Sequence, residues 1–185
     1  MMKHVGMVLA AGASSRMGRP KALLPAQSGL PMARAQADLL RAGGCGRVVV
    51  VLGADAERIR PSLAGCDVVL NPDWEKGRFT SVQTGLRALG DFDGCVILPV
   101  DAVDLRAETV RAVLAHAEAS SAEAVRPTYR GQDGKLLWIG RALTDELLHL
   151  LPGDRRLNEL VRVKAERLPV DDPALLCNIN TPEDL

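Results

Sequence analysis

Residues 5–21 read VGMVLAAGASSRMGRPK, and this stretch decides which fold the chain builds. The apolar run Val5–Leu9 has the length and the valine content of one buried strand. A loop rich in glycine, serine and cations follows at once. In open α/β sheets, ligands bind beyond the carboxyl ends of the strands. The stretch therefore predicts a first strand that delivers a binding loop, in a chain that alternates strands and helices.

The remaining sequence shows that alternation. Further strand-like apolar runs lie at residues 48–52, 68–70 and 95–98. Apolar residues at helical spacing separate or follow these runs, at residues 32–40, 56–63, 79–89 and 110–117. This order predicts a three-layer Rossmann-like α/β sandwich with a mostly parallel sheet. Two later runs joined by a polar turn predict a small late hairpin of residues 124–129 and 136–139, and helix faces are expected at 143–151 and 157–161.

Length and composition limit the function classes. A chain of 185 residues predicts a single domain, 1–185. Its 23 basic and 23 acidic residues balance, and only 3% of the residues are aromatic, which argues against a nucleic-acid partner. No apolar run reaches the roughly 18 residues of a membrane span. Four cysteines without a CxxC pair predict reduced thiols rather than a zinc site.

The first residues also resemble a secretion signal, with Lys3 before the apolar run and Ala11-Gly12-Ala13 after it. That run is at the lower length limit for a signal, and cleavage would remove the first core strand. A cytoplasmic location is therefore expected.

The loop after Leu9 suits phosphate binding, although it lacks the spacing of both standard glycine motifs. Gly12 and Gly18 match neither GxGxxG nor GxxxxGK[ST]. Small residues still expose backbone N–H groups, the planar fork of Arg16 suits two phosphate oxygens, and Lys21 supplies a point charge. A merely solvated basic loop is the alternative interpretation.

Polar residues follow other strands as well. Asp101 comes just after the run 95–98, where a carboxylate suits Mg²⁺ together with substrate phosphates. Asp104 is better explained as a cap of the next helix. The loop 71–81 enters a helix after the run 68–70, and Asn178 and Asn180 alternate near the end of the chain.

Five stretches together carry a family resemblance. LAAGASSRMGRPK, VVVVLGADAERIR, NPDWEKGRFTSVQTGLRAL, the Asp101 segment and NINTPEDL resemble, in this order, the nucleotidyltransferases that complete molybdenum cofactor, above all their cytidylyltransferase branch. The resemblance implies a nucleotide-diphospho-sugar transferase-like fold. It also implies Mg²⁺-dependent transfer of a nucleoside monophosphate from an NTP, with CTP favoured over GTP, to a phosphorylated acceptor. The implied acceptor is molybdopterin, pyrophosphate is released, and a molybdenum enzyme is a further partner.

The resemblance also implies roles for single residues. Arg16, Lys21 and Asp101 are the implied catalytic residues, and Asp101 and Asn180 the implied Mg²⁺ ligands. The implied nucleotide-binding residues are Leu9, Ala10, Ala11, Gly12, Arg16, Lys21, Asn71, Gly77, Ser81 and Asp101.

Three departures from the family pattern concern the acceptor side. Gly134-Lys135-Leu136 stands where the branch has Gly-His-Pro, Asn178 and Asn180 stand where it has acids, and no proline soon follows Asp101. Three hypotheses therefore remain: transfer to molybdopterin, transfer to a sugar or polyol phosphate, and a nucleotide-binding accessory protein without transferase activity. Cations that could receive an anionic acceptor, or form only a solvated face, are Lys135, Arg155 and Arg156.

Overall fold

A computed structural model describes residues 2–151 and 156–179, without the side chains of Arg16 and of residues 156–158. Eight strands lie in this part of the chain: β1 His4–Ala10, β2 Arg47–Leu52, β3 Asp67–Leu70, β4 Gly94–Pro99, β5 Ala124–Tyr129, β6 Gln132–Asp133, β7 Leu137–Gly140 and β8 Ala165–Pro169. Its helices are α1 Met32–Ala42, α2 Ala56–Ile59, α3 Arg78–Leu89, α4 Ala107–Ala119, α5 Arg141–His149 and α6 Arg156–Lys164. Short 3-10 turns occur at Ser15–Met17, Lys21–Leu23, Arg60–Leu63, Trp74–Lys76 and Pro173–Leu176.

The strands form one mixed sheet in the order β3-β2-β1-β4-β7-β5-β6, and β8 pairs with β5. β3, β2, β1 and β4 are mutually parallel, whereas β7 runs antiparallel to both β4 and β5. The predicted late hairpin is present as β5 and β7, with the short β6 inside its connection. The sheet is thus parallel from β3 to β4 and mixed beyond β4, where β7 pairs antiparallel with β4 and β5, β6 pairs antiparallel with β5, and β8 pairs in parallel with β5.

Helices cover both faces of the sheet, as the three-layer prediction requires. Val8 and Ala10 of β1 pack with α1, α2 and α4, while Met7 and Leu9 pack with α3, α5 and α6. The central strands are buried on both faces because successive side chains of a strand point in opposite directions. No helix in the described part of the chain is long and apolar enough to cross a membrane.

Three parts of the sequence prediction differ from the structure. The N-cap residue of α4 is Arg106, so Asp104, two residues earlier, does not cap this helix. Helix α5 ends at His149, so Leu150 and Leu151 lie beyond it rather than on its face. Strand β8 was not expected at all, because its residues AERLP show no continuous apolar run. It pairs in parallel with β5, so backbone hydrogen bonds rather than buried side chains define it.

Candidate active site

The parallel pairing of β1 and β4 brings their carboxyl ends to the same edge of the sheet. The chain leaves β1 through the loop 11–21 and leaves β4 just before Asp101. A cavity of about 330 Å³ lies between these two segments. Six of the residues expected from the sequence line it: Leu9, Ala11, Gly12, Lys21, Ser81 and Asp101.

Internal hydrogen bonds fold the loop 11–21 back on itself. Ser14 has a left-handed backbone conformation with φ 50°, and its hydroxyl oxygen accepts a hydrogen bond from the Lys21 amide at 3.0 Å. Met17 is buried in a small apolar cluster with Leu24, which anchors the middle of the loop. These contacts bring both ends of the loop to the cavity and leave Gly12 exposed at its wall.

Two ammonium groups contact the Asp101 carboxylate. Its Oδ2 lies 3.0 Å from Nζ of Lys135 and 3.6 Å from Nζ of Lys21. The Asp101 side chain is 21% exposed, so water screens these contacts less than it would on an open surface. The backbone carbonyl of Asp101 accepts a hydrogen bond from the Ile179 amide at 3.2 Å, which ties the last described segment to the site.

Asn71 supports the cavity wall from behind and does not itself line the cavity. Its side-chain amide, buried to 1% exposure, donates hydrogen bonds to Thr80 Oγ1 and Ser81 Oγ, each at 2.9 Å. Its Oδ1 accepts a hydrogen bond from the Asp73 amide at 3.0 Å. Both amide hydrogens are therefore used inside the protein, and Asn71 fixes the position of Ser81.

The start of α3 supplies residues that the sequence pattern did not single out. Arg78, the first residue of the helix, and Trp74 in the preceding turn both line the cavity. Ser14 and Ser15, in the loop 11–21, line it as well. One signal was available for Trp74, since it is one of two tryptophans and stands in a polar loop after a strand. Gly77 does not line the cavity, but its φ of 110° lets the chain turn into α3.

The other five predicted site residues are Ala10, Asn71, Gly77, Arg16 and Asn180. Ala10 is buried in the core beneath the cavity, and Gly77 and Asn71 support the wall from outside it. The backbone of Arg16 lies in the 3-10 turn after β1, but its side chain lies outside the described part of the structure. Asn180 lies outside the described residues altogether.

Asp101 and Asn178 carry oxygen atoms of the kind that binds a hard divalent cation. Asn178, which pairs with Ala102 in an isolated bridge, has a buried Oδ1 with no hydrogen-bond partner among the described residues. A carboxylate and an amide carbonyl are ligands of the kind that Mg²⁺ takes, commonly together with substrate phosphates. Within residues 2–151 and 156–179, no cluster of three His, Cys, Asp or Glu side chains could hold a metal ion.

The fold and the cavity define an α/β nucleotide-binding transferase. The MobA-like NTP transferase domain matches residues 6–170, so the chain belongs to this family and is a nucleotidyltransferase. A solved structure of Rv0371c from Mycobacterium tuberculosis is 30% identical, with a TM-score of 0.84 over 99% of this chain and 95% of that one. A second structure of Rv0371c, in complex with manganese, is 27% identical with a TM-score of 0.78, over 98% of this chain and 95% of that one.

Two curated relatives carry different names. A "Probable molybdenum cofactor guanylyltransferase" of Rhodopirellula baltica is 28% identical over 98% of this chain and 89% of its own length. A "Nicotine blue oxidoreductase" of Paenarthrobacter nicotinovorans is 38% identical over 59% of this chain. The match spans about half of that second relative, 54% of its length.

Proposed function

We propose that this protein transfers a nucleoside monophosphate, CMP, from an NTP to the phosphate of molybdopterin and releases pyrophosphate. One observation carries the proposal: in a chain of this family, the loop 11–21, Lys21 and Asp101 enclose one cavity at the carboxyl ends of β1 and β4. The cavity combines exposed small residues with a cation and a carboxylate. These groups suit a triphosphate and its metal ion.

The residues act by positioning and by neutralising charge. An oxygen of the acceptor phosphate attacks the α-phosphorus and forms a new P–O bond, while the bond from the α-phosphorus to the bridging oxygen breaks. Pyrophosphate leaves with that electron pair, and no protein nucleophile is required. Lys21, with Arg16, holds the phosphates and stabilises the charge that develops on them, while Leu9, Ala11 and Gly12 face the base and ribose.

A divalent cation, Mg²⁺ in this proposal, would be held by Asp101 and Asn180. When bound, such an ion polarises the phosphate oxygens and neutralises their charge. The buried Oδ1 of Asn178, which has no hydrogen-bond partner among the described residues, would be a further oxygen ligand for this ion. The manganese complex of Rv0371c supports a divalent cation in this fold. Lys21 and Lys135 balance the charge of the Asp101 carboxylate.

GMP is the second candidate for the transferred group, because the R. baltica relative is named as a guanylyltransferase. The sequence resemblance to the cytidylyltransferase branch favours CMP. A single domain over 1–185, a cytoplasmic location and delivery of the product to a molybdenum enzyme are parts of the same proposal.

The test is pyrophosphate release with CTP, GTP, ATP or UTP and Mg²⁺, in the presence of molybdopterin or glucose 1-phosphate. We expect release with CTP and molybdopterin, and loss of that release in Asp101→Ala. The matched control is Asp145→Ala. It removes an exposed carboxylate on α5 that does not line the cavity, so full activity is expected. Release with glucose 1-phosphate but not with molybdopterin would overturn the proposed acceptor.

A further inference from the structure

Lys135 lies in the turn between β6 and β7, and the packing of this turn holds its backbone in place. Gly134, the residue before it, is buried. The Gly134 amide donates a hydrogen bond to the Pro127 carbonyl at 2.9 Å, and a Cβ at Gly134 would lie 2.6 Å from Cδ2 of Leu175. The turn therefore fixes the backbone of a lysine whose ammonium group contacts Asp101 at the end of β4.

Asp101 faces more positive charge than it can neutralise. Nζ of Lys135 lies 3.0 Å from Oδ2 of Asp101, and Nζ of Lys21 lies 3.6 Å from the same oxygen. One carboxylate against two ammonium groups leaves this cluster with a net charge of +1. In the described part of the chain, no second carboxylate lines the cavity. A divalent cation that approaches Asp101 by itself is therefore repelled.

The two ammonium groups leave a neighbouring oxygen atom without a partner. Asn178 pairs with Ala102, the residue after Asp101, and its buried Oδ1 has no hydrogen-bond partner among the described residues. A buried acceptor without a donor costs free energy. A divalent cation takes several oxygen ligands at once, whereas the ammonium groups both lie against Oδ2 of Asp101. The lysines thus hold the carboxylate without completing the site, so a cation can displace them once its charge is compensated.

We propose that Lys135 is a counter-ion that keeps free divalent cations from Asp101 until a nucleotide occupies the cavity. The triphosphate brings the negative charge that the site lacks, because its oxygens attract the ammonium groups and also bind the cation. Cation and nucleotide then each raise the affinity of the other, as linkage requires. The inference rests on the proposed function and deepens it, because it assigns Lys135 to the mutual dependence of metal and NTP binding.

Calorimetric titration of Mn²⁺ into the full chain without nucleotide tests the repulsion. Lys135→Gln should bind Mn²⁺ at least about tenfold more tightly than wild type, because a unit charge and a divalent ion about 5 Å apart repel by such a factor even in water. Lys135→Arg keeps the charge and should bind Mn²⁺ as weakly as wild type. The matched control is Lys3→Gln, which removes an exposed ammonium group before β1, at the end of that strand opposite to the cavity. It should also bind Mn²⁺ like wild type.

Metal-free CTP gives a second readout, of opposite sign. In EDTA, Lys135→Gln should bind CTP about three- to tenfold more weakly than wild type, because it lacks one cation beside the triphosphate. A damaged fold would weaken the binding of both ligands, so a gain for Mn²⁺ with a loss for CTP is not a folding artefact. Adding Asp101→Asn to Lys135→Gln should abolish the gain for Mn²⁺, which locates the ion at Asp101.

Three results would each overturn the inference: unchanged Mn²⁺ affinity in Lys135→Gln, a gain that survives Asp101→Asn, or tight Mn²⁺ binding by Lys135→Arg. Pyrophosphate release separates it from the proposed function. A gain in Mn²⁺ affinity at Asp101, without release by wild type from any NTP and acceptor, supports the counter-ion and overturns the transfer. Release by wild type, with equal Mn²⁺ affinity in wild type and Lys135→Gln, supports the transfer and overturns the counter-ion.

Discussion

Replacing Asn71 by alanine should lower the free energy of unfolding. It should remove no direct contact with the nucleotide, because Asn71 does not line the cavity. The substitution removes the two hydrogen bonds to Thr80 and Ser81 and the one from the Asp73 amide. At about 1 kcal/mol net for each bond, the expected loss of unfolding free energy is about 3 kcal/mol. For a chain of 185 residues this corresponds to a fall in Tm of about 6–12 °C.

Thermal unfolding by far-UV circular dichroism measures this loss, and calorimetric titration of CTP measures binding. Ser81→Ala is the paired variant, because it removes a residue of the cavity wall but leaves Asn71 bonded to Thr80 and Asp73. Its stability loss should be about 1 kcal/mol. Gln27→Ala, at an exposed amide, is the control for side-chain truncation. A smaller fall in Tm for Asn71→Ala than for Ser81→Ala would refute the supporting role of Asn71.

Three further outcomes follow from the same structure. Lys21→Ala should slow pyrophosphate release by about 10²–10³ with an unchanged circular dichroism spectrum, and wild-type turnover would contradict its role on the phosphates. Gly53→Ala would place a Cβ 2.6 Å from Cβ of Trp74, so urea unfolding should show a loss of about 1–3 kcal/mol, and an unchanged midpoint would contradict that close packing. Burial raises the pKa of Cys45 to about 12, so its thiol stays protonated at pH 8 and should resist Ellman's reagent. The exposed Cys177 should react with the reagent, and equal reaction rates of the two thiols would be inconsistent with the structure.

The parallel half of the sheet could be predicted from the sequence because three of its four strands, β1, β2 and β4, are largely buried on both faces. Such strands appear as short apolar runs, and the amphipathic helices between them have a clear period. The edge strand β8 has no such signal: Glu166 and Arg167 are exposed, and its definition comes from pairing with β5. The strand order could not be predicted from the sequence either, because β7 lies beside β4 although the two strands are far apart in the sequence.

In the candidate site as well, some residues could be identified from the sequence, and the roles of others are visible only in the structure. The loop 11–21 and Asp101 could be identified because each follows an apolar run and carries residue types that suit phosphate or metal. Asn71 has a polar side chain in the right segment, but only its three hydrogen-bond partners show that it supports Ser81. Roles for Arg16 and Asn180 stay predictions.

The sequence by itself determined the kind of protein: an α/β chain with a phosphate-binding loop after its first strand and a carboxylate after a later one. Those signals are local, because a strand and the loop that follows it are contiguous. Only the tertiary structure decided that Lys135 contacts Asp101, and that Arg78 lines the cavity beside the loop 11–21. Lys135 follows β6 and Arg78 begins α3, and no spacing along the chain encodes how such distant segments meet.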